Sequence, residues 1–249
     1  MTPYQDDLWI RRFHPSGDDV PRIVCFPHAG GAANSYHALS RTLSPSAEVL
    51  AIQYPGRQDR FAEPCLDDIR VLADGIFERL RGLTDRPLAL FGHSMGSVVA
   101  FEVAHRLERE GVMPAHLFVS AGRGPACERP ERVHLMNDDG VIAEMRRLDG
   151  THAEVFAHAD LMRLVLEPLR GDYKAIETYA YGGFVVKCPV TALVGDDDPS
   201  TTVDAARMWG DHTEGPFALH VFPGGHFYLN DQLPGVARVL RSALSAIRG

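Results

Sequence analysis

The chain of 249 residues carries 25 Lys and Arg against 33 Asp and Glu, a formal charge of −8 with its 12 histidines neutral. Hydrophobic residues at 45% and charged residues at 23% describe an ordinary folded domain, not a disordered chain or a coiled coil. No block of Lys and Arg is present to replace phosphate counterions, which argues against nucleic acid as a partner, and no run of about 18 apolar residues is present to span a membrane.

The opening MTPYQDDLWIRRF places acids where a signal peptide needs a basic end and an apolar stretch, so a cytoplasmic location is expected. Cys25, Cys65, Cys127 and Cys188 lie far apart without a CxxC pair and read as reduced thiols. The histidines show no HExxH or Cys/His spacing, so no metal site is expected. Without a low-complexity linker or internal repeat, residues 1–249 read as one domain.

Ile23-Val24-Cys25-Phe26 predicts the first buried strand. Pro27-His28-Ala29-Gly30-Gly31-Ala32 follows, a small-residue loop that can present backbone N–H groups to a cavity; it lacks the Lys-Ser/Thr and the GxGxxG spacing of a nucleotide loop. Val49–Ile52 predicts a second strand. From Asp67 to Leu83, apolar Ile69, Leu72, Ala73, Ile76, Phe77 and Leu80 recur at helical spacing. Leu88–Phe91 is the next strand, and it runs into Gly92-His93-Ser94-Met95-Gly96. This G-x-S-x-G motif stands before a helical stretch with Met95, Val98, Val99, Val103 and Leu107 on one face, which is the strand, turn and helix context that exposes a nucleophilic serine. Ser94 is therefore the candidate nucleophile.

Leu117–Val119 is a further strand, and about 70 residues separate its end from the strand at Val190–Val194, far beyond a usual connection. Within them, one helix carries Val141, Met145 and Leu148 behind Asp138 as its expected cap. A second carries Leu161, Leu164, Val165 and Leu169, with Pro168 expected to kink it or begin its next piece. An insertion of this length reads as a lid, the alternative being extra packing helices. Strands buried on both faces and alternating with helices predict an α/β fold with a mostly parallel sheet.

A serine hydroxyl needs a base, and the base an orienting acid. Val190–Val194 leads into Gly195-Asp196-Asp197-Asp198-Pro199, and the strand Leu219–Phe222 leads into Pro223-Gly224-Gly225-His226-Phe227. Both loops lie at the carboxyl ends of strands, where open α/β sheets place their sites. His226 is the candidate base. Asp198, kept extended by Pro199, is the favoured acid, with Asp197 as runner-up and Asp196 as a turn residue. The backbone N–H groups of Ala29 and Met95 are the candidate oxyanion donors.

FPHAGG at 26–31, YPGR at 54–57, GHSMG at 92–96, LRGDYKAIETY at 169–179, GDDDP at 195–199 and GGHF at 224–227 together resemble the type II thioesterases of polyketide and non-ribosomal peptide synthesis. The resemblance implies an α/β-hydrolase fold with a helical lid at 125–181. It also implies a catalytic triad of Ser94, Asp198 and His226, with Ala29 and Met95 as the oxyanion hole, and no metal or organic cofactor. The implied activity removes aberrant acyl groups from the phosphopantetheine arm of a carrier protein, the expected partner. The vertebrate medium-chain fatty acyl thioesterase and integrated terminating domains are also similar; the length and the Met1 start favour a stand-alone enzyme. A carboxylesterase or lipase would use the same triad, and a scaffold with a dead site is opposed by its intact residues. Because carrier proteins and this chain are both acidic, docking is expected to need local basic residues, with Arg129, Arg132, Arg146 and Arg147 as candidates.

Overall fold

The computed structural model describes residues 8–148 and 159–246. Residues 149–158 of the expected lid and the side chain of Leu161 lie outside the described residues.

Strands β1 (Ile10–Arg11), β2 (Arg22–Phe26), β3 (Glu48–Ile52), β4 (Leu88–His93), β5 (His116–Ser120), β6 (Val190–Gly195) and β7 (Phe217–Phe222) form one sheet in the order β1-β3-β2-β4-β5-β6-β7. All neighbours pair parallel except β1, which runs antiparallel to β3. The apolar runs divide between the two faces of the sheet with period two. Val24, Phe26, Leu50, Leu90, Leu117 and Val119 pack with helices α2 (Ile69–Leu80) and α3 (Met95–Arg109). Ile23, Cys25, Val49, Ala89, Phe91 and Phe118 pack with α1 (His37–Leu43) and α7 (Leu233–Ala246). Alternate side chains point to opposite faces, so a strand covered on both sides must be apolar throughout.

Helix α2 begins where Asp68 accepts the N–H groups of Arg70 and Val71, at 2.7 and 3.1 Å, and ends before a 3₁₀ turn at Arg81–Leu83. Helix α3 is buried almost all round its first ten residues, a wider apolar contact than one face. Strand β7 departs from the expected burial on both faces: as an edge strand it has no fully buried residue, each being exposed or half-buried.

Between β5 and β6 lie α4 (Asp138–Arg147) and α5 (Ala159–Glu177). The cap of α4 is Asn137, whose side chain accepts the Gly140 N–H at 3.0 Å, and not Asp138. Asp138 instead sits in the first turn, where an acid favours the helix dipole, and binds Arg170 at 2.7 Å. Helix α5 continues through Pro168 as a single helix, so no second piece begins there. Its inward stripe is Met162, Leu166 and Leu169, packed with Val133, Val141 and Met145. Leu164, expected on that stripe, is exposed; spacings of four and three residues place 162, 166 and 169 on one face and turn 164 away. The short helix α6 (Val203–Arg207) follows β6.

Candidate active site

The expected residues converge at the carboxyl end of the sheet. Between β4 and α3 the chain reverses at Ser94, whose φ of 55° and ψ of −120° lie where L residues are strained. The strain is held by close backbone approach. A Cβ on Gly92 would stand 2.1 Å from the Gly96 carbonyl oxygen, and one on Gly96 would stand 2.1 Å from that of Phe26, so only glycine fits either position. The Ser94 N–H donates to Ser120 O at 2.7 Å, and the Ser97 hydroxyl lies 3.1 Å from both Gly92 O and Ser120 O.

The loops after β6 and β7 meet in the same way, since a Cβ on Gly195 would stand 2.2 Å from Gly224 O. That contact brings Asp198 and His226 together. His226 Nδ1 lies 2.9 Å from Asp198 Oδ2 and 3.1 Å from Oδ1, and Nε2 lies 2.9 Å from Ser94 Oγ. A carboxylate only accepts, so the ring proton resides on Nδ1 and Nε2 is left to accept the serine hydroxyl. Asp198 Oδ1 also accepts the N–H groups of Ser200 and Thr201, at 2.7 and 3.0 Å. Asp198 and His226 are both buried. Asp197 is exposed and directed elsewhere, while Asp196 accepts the Gly224 N–H at 2.9 Å as a loop residue.

Ala29 and Met95 border the same cavity as Ser94 and His226, an empty volume of about 720 Å³. Among the described residues, neither backbone N–H has an acceptor within the protein. A smaller apolar recess, bordered by Met145, Val165 and Leu169, adjoins this cavity and shares with it Ala29, Leu148 and Tyr173.

The groups packed around the triad had no distinct signal in the sequence. The His28 imidazole is pushed down to about 3 by burial, with smaller contributions from His226 and Arg57. His93 is held well below its usual range by burial and then by His226 and His28. Both rings are thus neutral near pH 7. His93 Nδ1 lies 2.9 Å from Ser120 Oγ, which lies 2.6 Å from Tyr228 OH. Arg57 and Asp172, inside YPGR and LRGDYKAIETY, form a buried ion pair. Burial alone would lower the Arg57 guanidinium, but Asp172 outweighs it and leaves the group raised.

The four arginines expected at a docking surface separate. Arg129 borders the cavity and donates to Cys127 O at 2.9 Å, making it part of the wall. Arg132, Arg146 and Arg147 are exposed, and Arg147 pairs with Glu144 at 2.6 Å. No helix among the described residues is long and apolar enough to cross a membrane.

The chain is similar to known thioesterases. The chain is 52% identical over 237 residues to the probable cadicidin biosynthesis thioesterase of Streptomyces griseus, covering 95% of this chain and 66% of that protein, just under two thirds of its length. It is 46% identical over 245 residues to thioesterase PikA5 of Streptomyces venezuelae, covering 97% of this chain and 87% of that one. The solved structure of BorB, the type II thioesterase from the borrelidin biosynthetic cluster, superposes with a TM-score of 0.90 at 47% identity, over 96% of this chain and 99% of that one. With the thioesterase domain matched across residues 21–244, the chain belongs to the thioesterase family.

Proposed function

We infer that the chain is an editing thioesterase that hydrolyses acyl groups from the phosphopantetheine arm of carrier proteins serving polyketide or non-ribosomal peptide synthesis. The observation that carries this reading is the unbroken hydrogen-bonded line from Asp198 through His226 to Ser94, in a chain of the thioesterase family.

Ser94 Oγ attacks the thioester carbonyl while His226 Nε2 takes the hydroxyl proton, and Asp198 stabilises the imidazolium. The negative charge that develops on the carbonyl oxygen is bound by the N–H groups of Ala29 and Met95, each worth about 3 kcal/mol. Collapse breaks the C–S bond, and the departing thiolate takes the proton from His226. Water then attacks the acyl-Ser94 ester, passing its proton to His226. The acid leaves and Ser94 regains its hydrogen. The segment 125–181 acts as a lid within a single hydrolase domain, its apolar recess taking the acyl chain and its polar side the pantetheine amides. Because the chain carries a charge of −8, an acidic carrier must dock through local basic residues, for which Arg132, Arg146 and Arg147 are placed on the surface.

The test compares hydrolysis of acyl-carrier protein, a short acyl thioester and p-nitrophenyl esters by the wild type and by Ser94→Ala. We expect thioesters to be preferred and Ser94→Ala to lose at least about 10⁴-fold in kcat. Full activity in Ser94→Ala would overturn the triad assignment, and a strong preference for esters over every thioester would overturn the substrate assignment.

A further inference from the structure

The hydrolytic steps above make no use of the buried pair Arg57 and Asp172. Its two hydrogen bonds measure 2.6 and 2.9 Å, and its side chains are 5% and 0% exposed. The two residues are distant in sequence, one in the loop after β3 and the other on α5. Together they grip the loop that carries Ala29. Asp172 Oδ2 accepts the Gly30 N–H at 2.7 Å, and Arg57 Nη1 donates to the Gly31 carbonyl at 3.1 Å. The Gly31 N–H turns back to His28 O at 2.9 Å. Of three consecutive N–H groups in this loop, two are thus committed, and that of Ala29 alone is without an acceptor among the described residues.

A buried charge pair is weak evidence for stability, because apolar residues of similar volume are often as stable or more so. An apolar pair cannot, however, accept the Gly30 N–H. Gly30 has a φ of 75°, and its backbone also rests on α5: a Cβ there would stand 2.9 Å from Leu169 Cδ1. The path of the loop therefore depends on where α5 sits.

We propose that Arg57 and Asp172 are positioning residues, a clamp that orients the 28–31 loop so that the Ala29 N–H meets the reacting carbonyl. Because Asp172 belongs to α5, the oxyanion donor is complete only when that helix is seated on the loop. This rests on the reading of Ala29 as an oxyanion donor.

The test uses the full chain and two double variants. Arg57→Met/Asp172→Leu replaces the pair by apolar volume, whereas Arg57→Met/Asp172→Asn restores a carbonyl to accept the Gly30 N–H. Active sites are counted by end-point labelling with a fluorophosphonate, and kcat and KM are measured on a short acyl thioester. Affinity for an alkyl boronic acid, which forms a tetrahedral adduct on serine, is the third readout. The leucine variant should lose about 100-fold in kcat per labelled site, with KM within about twofold and boronate affinity reduced in parallel. The asparagine variant should recover most of the loss. If a double variant does not fold, Asp172→Asn alone should show the same split at about 10-fold. A wild-type kcat per labelled site in the folded leucine variant, or in Asp172→Asn where that variant takes its place, overturns the clamp whatever the melting temperature. Such a result beside an inactive Ser94→Ala would refute the clamp while leaving the serine mechanism standing.

Discussion

The ends of the strands and the segment between β5 and β6 are held by different physics. At the strand ends, backbone meets backbone: Gly92, Gly96 and Gly195 each lie where a Cβ would stand within 2.2 Å of a carbonyl oxygen. Those positions admit only glycine, and they set the paths of the turns that carry Ser94, Asp198 and His226. In the other segment, six residues form a separate small cluster, Val133, Val141, Met145, Met162, Leu166 and Leu169. Its attachment to the frame is mixed: Ala175, Ile176, Tyr179, Tyr181 and Phe184 pack on the main core, and polar contacts add to them. Arg57 holds Asp172, Glu102 accepts the Tyr179 hydroxyl at 2.8 Å, and Asp67 pairs with Lys174. A crowded frame suits a reaction that needs atoms placed to a fraction of an ångström, and, on the proposed reading of this segment as a lid, a cap with its own small cluster suits the admission of varied acyl groups.

The largest expected effect probes the frame. Asp198→Asn keeps an oxygen for the Ser200 and Thr201 N–H groups but no longer holds the His226 tautomer, and kcat should fall by about 10⁴-fold with the fold intact. Asp197→Asn, at an exposed side chain, should stay near wild type. If the two variants reversed, the acid would have to come from the neighbouring position and the loop contact at Gly195 would carry another meaning.

The difference between the regions also governs what the sequence reveals. Ser94, Asp198 and His226 are marked by local patterns, each a short apolar strand that runs into a glycine-bearing turn, because backbone crowding acts within a few residues. Asp198 over Asp197 was legible through Pro199, which keeps the preceding residue extended. The clamp was not legible: residues 57 and 172 meet only through the fold, and no local spacing signals a pair 115 positions apart. Strand β1 is two residues long, too short for periodicity to register. The sequence does not single out the inward face of α5, because its apolar residues form more than one stripe and only the partners Val133 and Val141 choose between them, leaving Leu164 exposed.

A second experiment probes the cap. Leu169 is buried against Met145 and beside Gly30, and Leu169→Ala should cost about 2 to 3 kcal/mol, the low end for a buried leucine. If the cluster opens as its own unit, the loss appears as amide hydrogen exchange accelerated about 30- to 150-fold in α4 and α5, with β2 and β4 unchanged. Leu90→Ala, in the main core, should accelerate exchange throughout. Uniform acceleration in Leu169→Ala would show that the cap and the frame unfold together.

The smallest expected effect again separates the regions, through acid. His28, His93 and His116 all belong to the frame. Burial pushes His28 down to about 3 and His116 to about 4, and holds His93 well below its usual range. In the unfolded chain each ring returns to about 6.5. Between pH 6.5 and about 4 the unfolded state therefore binds protons that the folded state does not, and stability falls as pH falls. Each ring contributes about 1 kcal/mol per pH unit between pH 6 and 5, a window above most carboxylate titration. His116 begins β5 at the end of the sheet away from Ser94, stacks on Phe118 and lies 2.8 Å from Thr191 Oγ1. His116→Gln keeps a partner for Thr191 and removes the ring, so the slope of urea stability against pH should drop by about one proton, with kcat unchanged. An unaltered slope would mean that acid weakens the frame through groups other than these buried rings.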